Sequence, residues 1–330
     1  MNVIHGGGVW DAENPSRWLD FSASLRPEGP PEWVREVMAE AQKSIAWYPD
    51  LTMRRARKGL SDYLGVPEDH ILPVAGGIAA IDLALSVCSG KVFIIPPTFG
   101  EYAARAALYG RQVETWPGRC GENDSLVLCN PNNPTGEARS REELLSLLET
   151  VRSNGGNLVV DEAFIDYCPE YSLRENIGPG LILAGSLSKI LGVPGIRIGY
   201  LCAVPETIQR LQLRMLPWSV DALATEIAVR LPDHKDEIIR DAERNAVRRE
   251  RFSSQLRQLG AEVYPSRGNF LLADFCRDMS SAAVRLRSRG ILVRTCSSFS
   301  LPGSFWRLAV RTEDENTRLI TELEEILHER

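Results

Sequence analysis

The chain has 330 residues and a formal net charge of −6; that length calls for a large domain plus a smaller one, and the acidic balance argues against a nucleic-acid partner, which would need a basic face. Seven cysteines and four histidines occur, with no C-x-x-C or H-x-x-x-H pair, so a disulfide framework, a zinc cluster and a metal site of another kind are not expected. No apolar stretch reaches membrane-spanning length and the start has no signal-peptide pattern, so the expected location is cytoplasmic, with no membrane partner.

In chain order, the first notable stretch is HGGG at His5 to Gly8. As the oxyanion loop of a hydrolase it would need a G-x-S-x-G elbow elsewhere, and the chain has none. Residues 1–30 are rich in Gly, Pro and Ser without helical period and read as an extended arm. Apolar runs at 71–75, 91–95, 125–129, 157–161, 181–185 and 196–202 then read as buried strands. Helical spacing fills 77–88, 101–110 and 141–155, the last two ending on glycine signals. Strands alternating with helices imply an α/β layer with a mostly parallel sheet. Beyond Pro205 the pattern changes to helices over 219–259, strands near 261–266 and 269–274, a helix at 279–289, strands at 291–295 and 306–310, and a last helix at 313–328. That is an α+β subdomain, which the arm is expected to join. The expected division is 1–45 arm and part of the small domain, 46–235 large domain, and 236–330 small domain.

Four patches carry chemistry. GSLSKILGVPGIRIGY, 185–200, places Ser186, Ser188 and Lys189 directly after a buried strand, with Arg197 eight residues on. A lysine held at the end of a core strand loses solvation, which lowers its pKa and frees a nucleophilic amine. Hydroxyls and a guanidinium beside it suit an aldehyde cofactor that carries a phosphate; an isolated surface lysine is the bland alternative. In VVDEAFIDY, 159–167, Asp161 ends an apolar strand and needs a buried partner. A protonated pyridine nitrogen would serve, and a helix cap is the plainer reading. CNPNNPTG, 129–136, is a rigid turn able to aim Asn133 at a ring oxygen. PVAGGIAAID, 73–82, ends a strand and opens a helix on glycines, an anion site through backbone N–H groups.

Together, in order and spacing, these patches resemble the fold-type I pyridoxal-phosphate enzymes of the class I/II aminotransferase family over nearly the whole chain. The resemblance implies a large domain with a seven-stranded, mostly parallel sheet between helices, plus a small α+β domain. It implies that Lys189 holds pyridoxal 5'-phosphate covalently, that Asp161 pairs with the pyridinium and that Asn133 meets the phenolic oxygen and lies by the substrate. Phe99 or Tyr102 would stack on the ring, and Gly76, Gly77, Ile78, Ser186, Ser188 and Arg197 would hold the phosphate. Tyr48 would reach the neighbouring subunit's cofactor phosphate, which implies a homodimer. Arg307 would grip a substrate carboxylate bidentately. Many relatives have tyrosine where this chain has Phe164, so one hydrogen bond to the ring oxygen is missing or replaced.

HGGGVW, DFSASLRPEGPP, DEAFIDY and ILVRTCSSF resemble the threonine-phosphate decarboxylase branch of cobalamin biosynthesis, with histidinol-phosphate aminotransferases as cousins. The implied substrate is a small phosphorylated amino acid, L-threonine O-3-phosphate or L-serine O-phosphate. Its phosphate would meet His5, Gly6, Gly7 and Arg294. Arg26 either adds charge near that phosphate or lies on the surface, and Arg311 has no assigned role. The alternatives are aminotransfer on histidinol phosphate and a non-catalytic cofactor-binding domain, which would need a DNA-binding extension.

Overall fold

In the computed structural model, residues 5–328 are described. The opening segment holds β1 (Leu19–Asp20), α1 (Glu32–Ala41) and α2 (Arg54–Leu64). Then come β2 (Ile71–Val74), α3 (Gly77–Val87), β3 (Val92–Ile94), α4 (Glu101–Leu108), β4 (Val113–Thr115), β5 (Ser125–Cys129), α5 (Arg141–Arg152), β6 (Leu158–Asp161), β7 (Leu181–Ser186) and β8 (Gly199–Cys202). Three helices follow, α6 (Pro205–Gln212), α7 (Ala222–Arg230) and α8 (Lys235–Gln258). The chain closes with β9 (Glu262–Val263), β10 (Phe270–Asp274), α9 (Ser280–Ser288), β11 (Ile291–Leu292), β12 (Arg294–Thr295), β13 (Phe305–Ala309) and α10 (Glu313–His328).

The seven-stranded sheet runs β2-β8-β7-β6-β5-β3-β4. β8 is antiparallel to both neighbours and every other pairing is parallel. Strands β2, β5, β6, β7 and β8 are buried along their whole length, as continuous Val/Ile/Leu runs covered by helices on both faces should be. β4 is the strand that the apolar runs do not reveal. Of its three residues, VET, at the sheet edge, Val113 and Glu114 are half-buried and Thr115 is exposed, so no apolar run was required there. β8 begins at Gly199 rather than Ile196, which leaves Arg197 in the loop that borders the cavity described below.

The parallel register fixes where chemistry can occur. Cys129 and Asp161 are lateral neighbours at the carboxyl ends of β5 and β6, level with Ala184 two residues before the end of β7, the side of an open α/β sheet where ligands bind. Helix α5 starts on a reciprocal capping box, with Ser140 and Glu143 each satisfying the other's backbone N–H, a device that sets where the helix begins.

The second sheet is antiparallel, β12-β13-β10-β9. It packs with α8, α9 and α10 around Phe252, Leu271, Trp306, Leu308, Leu319 and Leu323. Helix α8 spans both cores, giving Ile238 to the first and Phe252 and Leu256 to the second. The stretch 291–295 is two short strands rather than one. β11 pairs in parallel with β1, Leu19 against Ile291, so the arm adds an edge to the small domain, whereas β12 pairs with β13. α1, for which the sequence reading offered no element, buries Trp33, Val34 and Val37 in the first core. Among the described residues no helix is long and apolar enough to cross a membrane.

Candidate active site

A cavity of about 310 Å³ opens at the carboxyl ends of β5, β6 and β7 and is closed by the arm and the small domain. Of the residues anticipated from sequence, His5, Gly6, Gly77, Ile78, Phe99, Asn133, Asp161, Ser186, Ser188, Lys189, Arg197, Arg294 and Arg307 line it. Lys189 stands in the turn that follows β7, three residues past the end of the strand. Burial, aided by repulsion from Arg307 and Arg197, pulls its ammonium down to about 8 against the attraction of Asp161. Near neutral pH about a tenth of this amine is therefore neutral, far more than for an ordinary lysine, and that is the form able to attack a carbonyl carbon or take up a proton.

Asp161 ends β6 and is buried. Its Oδ2 accepts from the Tyr102 hydroxyl at 2.6 Å and its Oδ1 from the Ala163 amide at 3.0 Å. Burial raises this carboxyl above its ordinary value, and the two donors work the other way. A cation beside it would tip the balance firmly toward the carboxylate.

On the other side of Lys189, α3 begins at Gly77 with its first N–H groups at the cavity, an anion-binding helix start. Gly76 is required by fit. A Cβ there would lie 2.6 Å from Arg197 Nη2, and its φ of 88° is in the left-handed region. Arg197 is anchored through Nη1 on the Pro194 carbonyl at 3.0 Å.

The opposite wall is assembled from remote segments. Arg294 and Arg307 are cross-strand partners on β12 and β13, both buried. Arg307 donates to Asn133 Oδ1 and to the Ser22 carbonyl, each at 2.7 Å. Burial, then repulsion from Arg294, lowers its guanidinium to about 10. Arg294 donates to Ser298 Oγ at 2.6 Å and lies over the Phe299 ring. The arm lies across this wall. Its Gly7 amide donates to Ser22 Oγ at 2.8 Å, and His5 Nε2 donates to Glu101 Oε1 at 2.8 Å. Gly6 passes so close to Ser22 that a Cβ would come within 2.1 Å of its carbonyl oxygen.

Several anticipated residues stand elsewhere. Phe99 lines the cavity and Tyr102 does not; the Tyr102 ring is fully buried edge-on to Phe99, so it supports Asp161 instead of stacking on a cofactor ring. Gly76 and Gly7 act through fit and docking just outside the lining. Tyr48 is 82% exposed, packs on Trp218, and belongs to an apolar surface with Trp47, Leu51, Leu213 and Leu216. Arg26 adds no charge to the cavity: its Nε donates to Asp241 at 2.7 Å and its Nη1 to the Gly29 carbonyl at 2.6 Å, tying the arm to α8. Arg311 binds the Asp20 carbonyl and Glu315 and so holds β1 in place. Phe164 lines the cavity and packs edge-on against Phe270, which leaves no hydroxyl at that point. Sequence reasoning assigned nothing to Ser22, Ala23, Ser24 or Phe299, all of which line the cavity; the small-residue run in DFSAS was the visible signal for the first three, and Phe299 lay at the end of ILVRTCSSF.

The family model for aminotransferases of class I and II matches residues 17–323. The chain belongs to that family. The family's cofactor is pyridoxal 5'-phosphate, and the residues present fit it: a helix start with a glycine cradle for the phosphate, a buried carboxylate, and a desolvated lysine between them. The chain is 31% identical to the threonine-phosphate decarboxylase of Salmonella typhimurium, over 99% of this chain and 97% of that protein. Among solved structures it is similar to the histidinol-phosphate aminotransferase of Clostridium acetobutylicum, with TM-score 0.86, 26% identity, and coverage of 93% of this chain and 98% of that one. It is likewise similar to the L-threonine-O-3-phosphate decarboxylase of Porphyromonas gingivalis, with TM-score 0.82, 28% identity, and coverage of 94% and 99%.

Proposed function

We propose that this family member is a cytoplasmic, homodimeric lyase that decarboxylates L-threonine O-3-phosphate to (R)-1-amino-2-propanol O-phosphate, with L-serine O-phosphate as a further substrate, in cobalamin biosynthesis. The observation that carries the reading is the pair of buried guanidiniums, Arg294 and Arg307, facing Lys189 across one cavity with His5 at its edge. A small substrate with an anion at each end fits that wall. The likeness to the Salmonella enzyme supports the same choice.

Pyridoxal 5'-phosphate, when bound, supplies an electron sink for negative charge developing at Cα. Gly76, Gly77, Ile78, Ser186, Ser188 and Arg197 would hold its phosphate and Phe99 its ring face, while Asp161, oriented by Tyr102, would keep its ring nitrogen protonated. Lys189 would bind its aldehyde and later return a proton to Cα. Arg307 and Asn133 would receive the substrate carboxylate, and Arg294 with His5 the phosphate. Holding both ends restricts rotation about the Cα bonds, which is how a site selects the bond that breaks. The exposed apolar surface around Tyr48 and Trp218 would be covered by the second subunit.

Aminotransfer on histidinol phosphate is the second reading, favoured by the likeness to the Clostridium structure. The test is a product assay with threonine phosphate, serine phosphate, and histidinol phosphate plus an oxo-acid acceptor. Carbon dioxide equal to amine product is expected with the first two. Keto product without carbon dioxide would replace the decarboxylase reading with aminotransfer.

A further inference from the structure

A second and larger cavity, about 860 Å³, lies between the loop after Asn133 and the small domain, away from the cavity of Lys189. Three arginines, Arg249, Arg257 and Arg267, line it against two glutamates, Glu137 and Glu250. Arg249 is only 6% exposed. Its one ion pair among the described residues is a 3.4 Å contact with Glu250, whose side chain is 72% exposed, and its Nη1 donates to the Gly268 carbonyl at 3.1 Å. An exposed neighbour at that distance compensates a buried guanidinium poorly.

Arg257 and Arg267 form no ion pair among the described residues. Arg257 donates to the Val263 carbonyl at 3.2 Å, and Arg267 lies 5.7 Å from the Tyr171 ring centroid. Burial lowers the Arg249 guanidinium against the pull of Glu250, with a smaller push from Arg267, which places the Arg267 charge close enough to Arg249 to be felt.

We propose that this cavity is a second anion site that binds a phosphate-bearing small molecule, with Arg249, Arg257 and Arg267 as its guanidinium donors. Guanidiniums converging on one concave space match the several oxygens of a phosphate. Tyr171 and Tyr264, also in the lining, give a flat organic group somewhere to pack. The site touches the catalytic wall through the backbone. The Arg267 amide donates to the Gly136 carbonyl at 2.8 Å, on the turn that carries Asn133, and Asn133 in turn accepts from Arg307.

The test is calorimetric titration of the holoenzyme with inorganic phosphate and, separately, with phenyl phosphate. It is repeated in Arg294→Ala, which disables the phosphate end proposed for the substrate, and in Arg257→Ser/Arg267→Ser, where both replaced side chains are exposed. The expected result is a binding event that persists in Arg294→Ala and weakens at least tenfold in the double variant, whose melting temperature is unchanged. Tighter binding of phenyl phosphate than of phosphate assigns an ester as the occupant, and equal binding assigns the free ion. Binding that vanishes with Arg294→Ala, or that survives the double variant undiminished, or that is absent throughout, overturns the proposal and leaves the proposed decarboxylation untouched.

Discussion

The two walls of the cavity are built by different means. The wall of Lys189 and Asp161 consists of strand ends in one sheet, where lateral register alone brings the residues together. The facing wall is made by the arm, β12 and β13, with partners such as Arg307 and Ser22 separated by 285 residues. The first wall is fixed once the sheet forms, while the second depends on docking of two domains and a tail. Substitutions on the second wall should therefore alter substrate handling and spare the cofactor; those on the first should do the reverse.

Arg294→Ala gives the sharpest contrast. Loss of one charge-assisted contact costs about 1.5–3 kcal/mol, roughly a ten- to hundredfold drop in kcat/KM for phosphorylated substrate, with cofactor affinity unchanged. A comparable loss of cofactor affinity would erase the distinction between the walls. Tyr102→Phe tests the other side. Removing the 2.6 Å donor to Asp161 should weaken cofactor binding about tenfold and shift its absorption spectrum, with KM little changed; an unaltered spectrum would reduce Tyr102 to a packing residue.

Gly6→Ala sets a Cβ against the Ser22 carbonyl and should undock the arm. A few-fold rise in KM is expected at unchanged melting temperature, since the arm segment 8–17 buries none of its side chains. A fall in melting temperature would mean that the arm is part of the core. The smallest effect concerns pH. In the cofactor-free protein Lys189 titrates near 8 instead of 10.5, so between those values the unfolded chain holds a proton that the folded one has released. Stability should gain a contribution as pH rises across that window, and Lys189→Met should remove it; identical pH profiles for the two proteins would contradict the lowered value.

The first wall was legible in the sequence because each of its residues sits on a continuous apolar run or a glycine turn. Lys189, Asp161, Asn133 and the Gly76–Ile78 turn needed only strand ends to be located. The second wall was legible only in part. Arg294 and Arg307 came through resemblance to a family, and nothing local marks a Cα register between them. The His5 partner, Glu101, is 96 residues away, and no periodicity links the two. The choice between Phe99 and Tyr102 stayed open for a related reason: their spacing shows that both rings share a turn, but burial decides that one faces the cavity and the other faces Asp161. Arg26 looked equally available to a phosphate until α8 supplied Asp241, a contact 215 residues away in the chain.

The thin attachment of the first part of the arm, residues 5–14, has a kinetic consequence. It is held near the cavity by His5 on Glu101 and the Gly7 amide on Ser22, and farther out by an ion pair of Asp11 with Arg287. A segment secured by a few polar contacts over solvent-facing side chains releases at far lower free energy than a packed helix. Release of this short strip widens the cavity mouth without parting the two cores. In hydrogen exchange the amides of 6–14 should lose protection long before those of β6 and β7, making the arm a fast-swinging door on a slow-moving room.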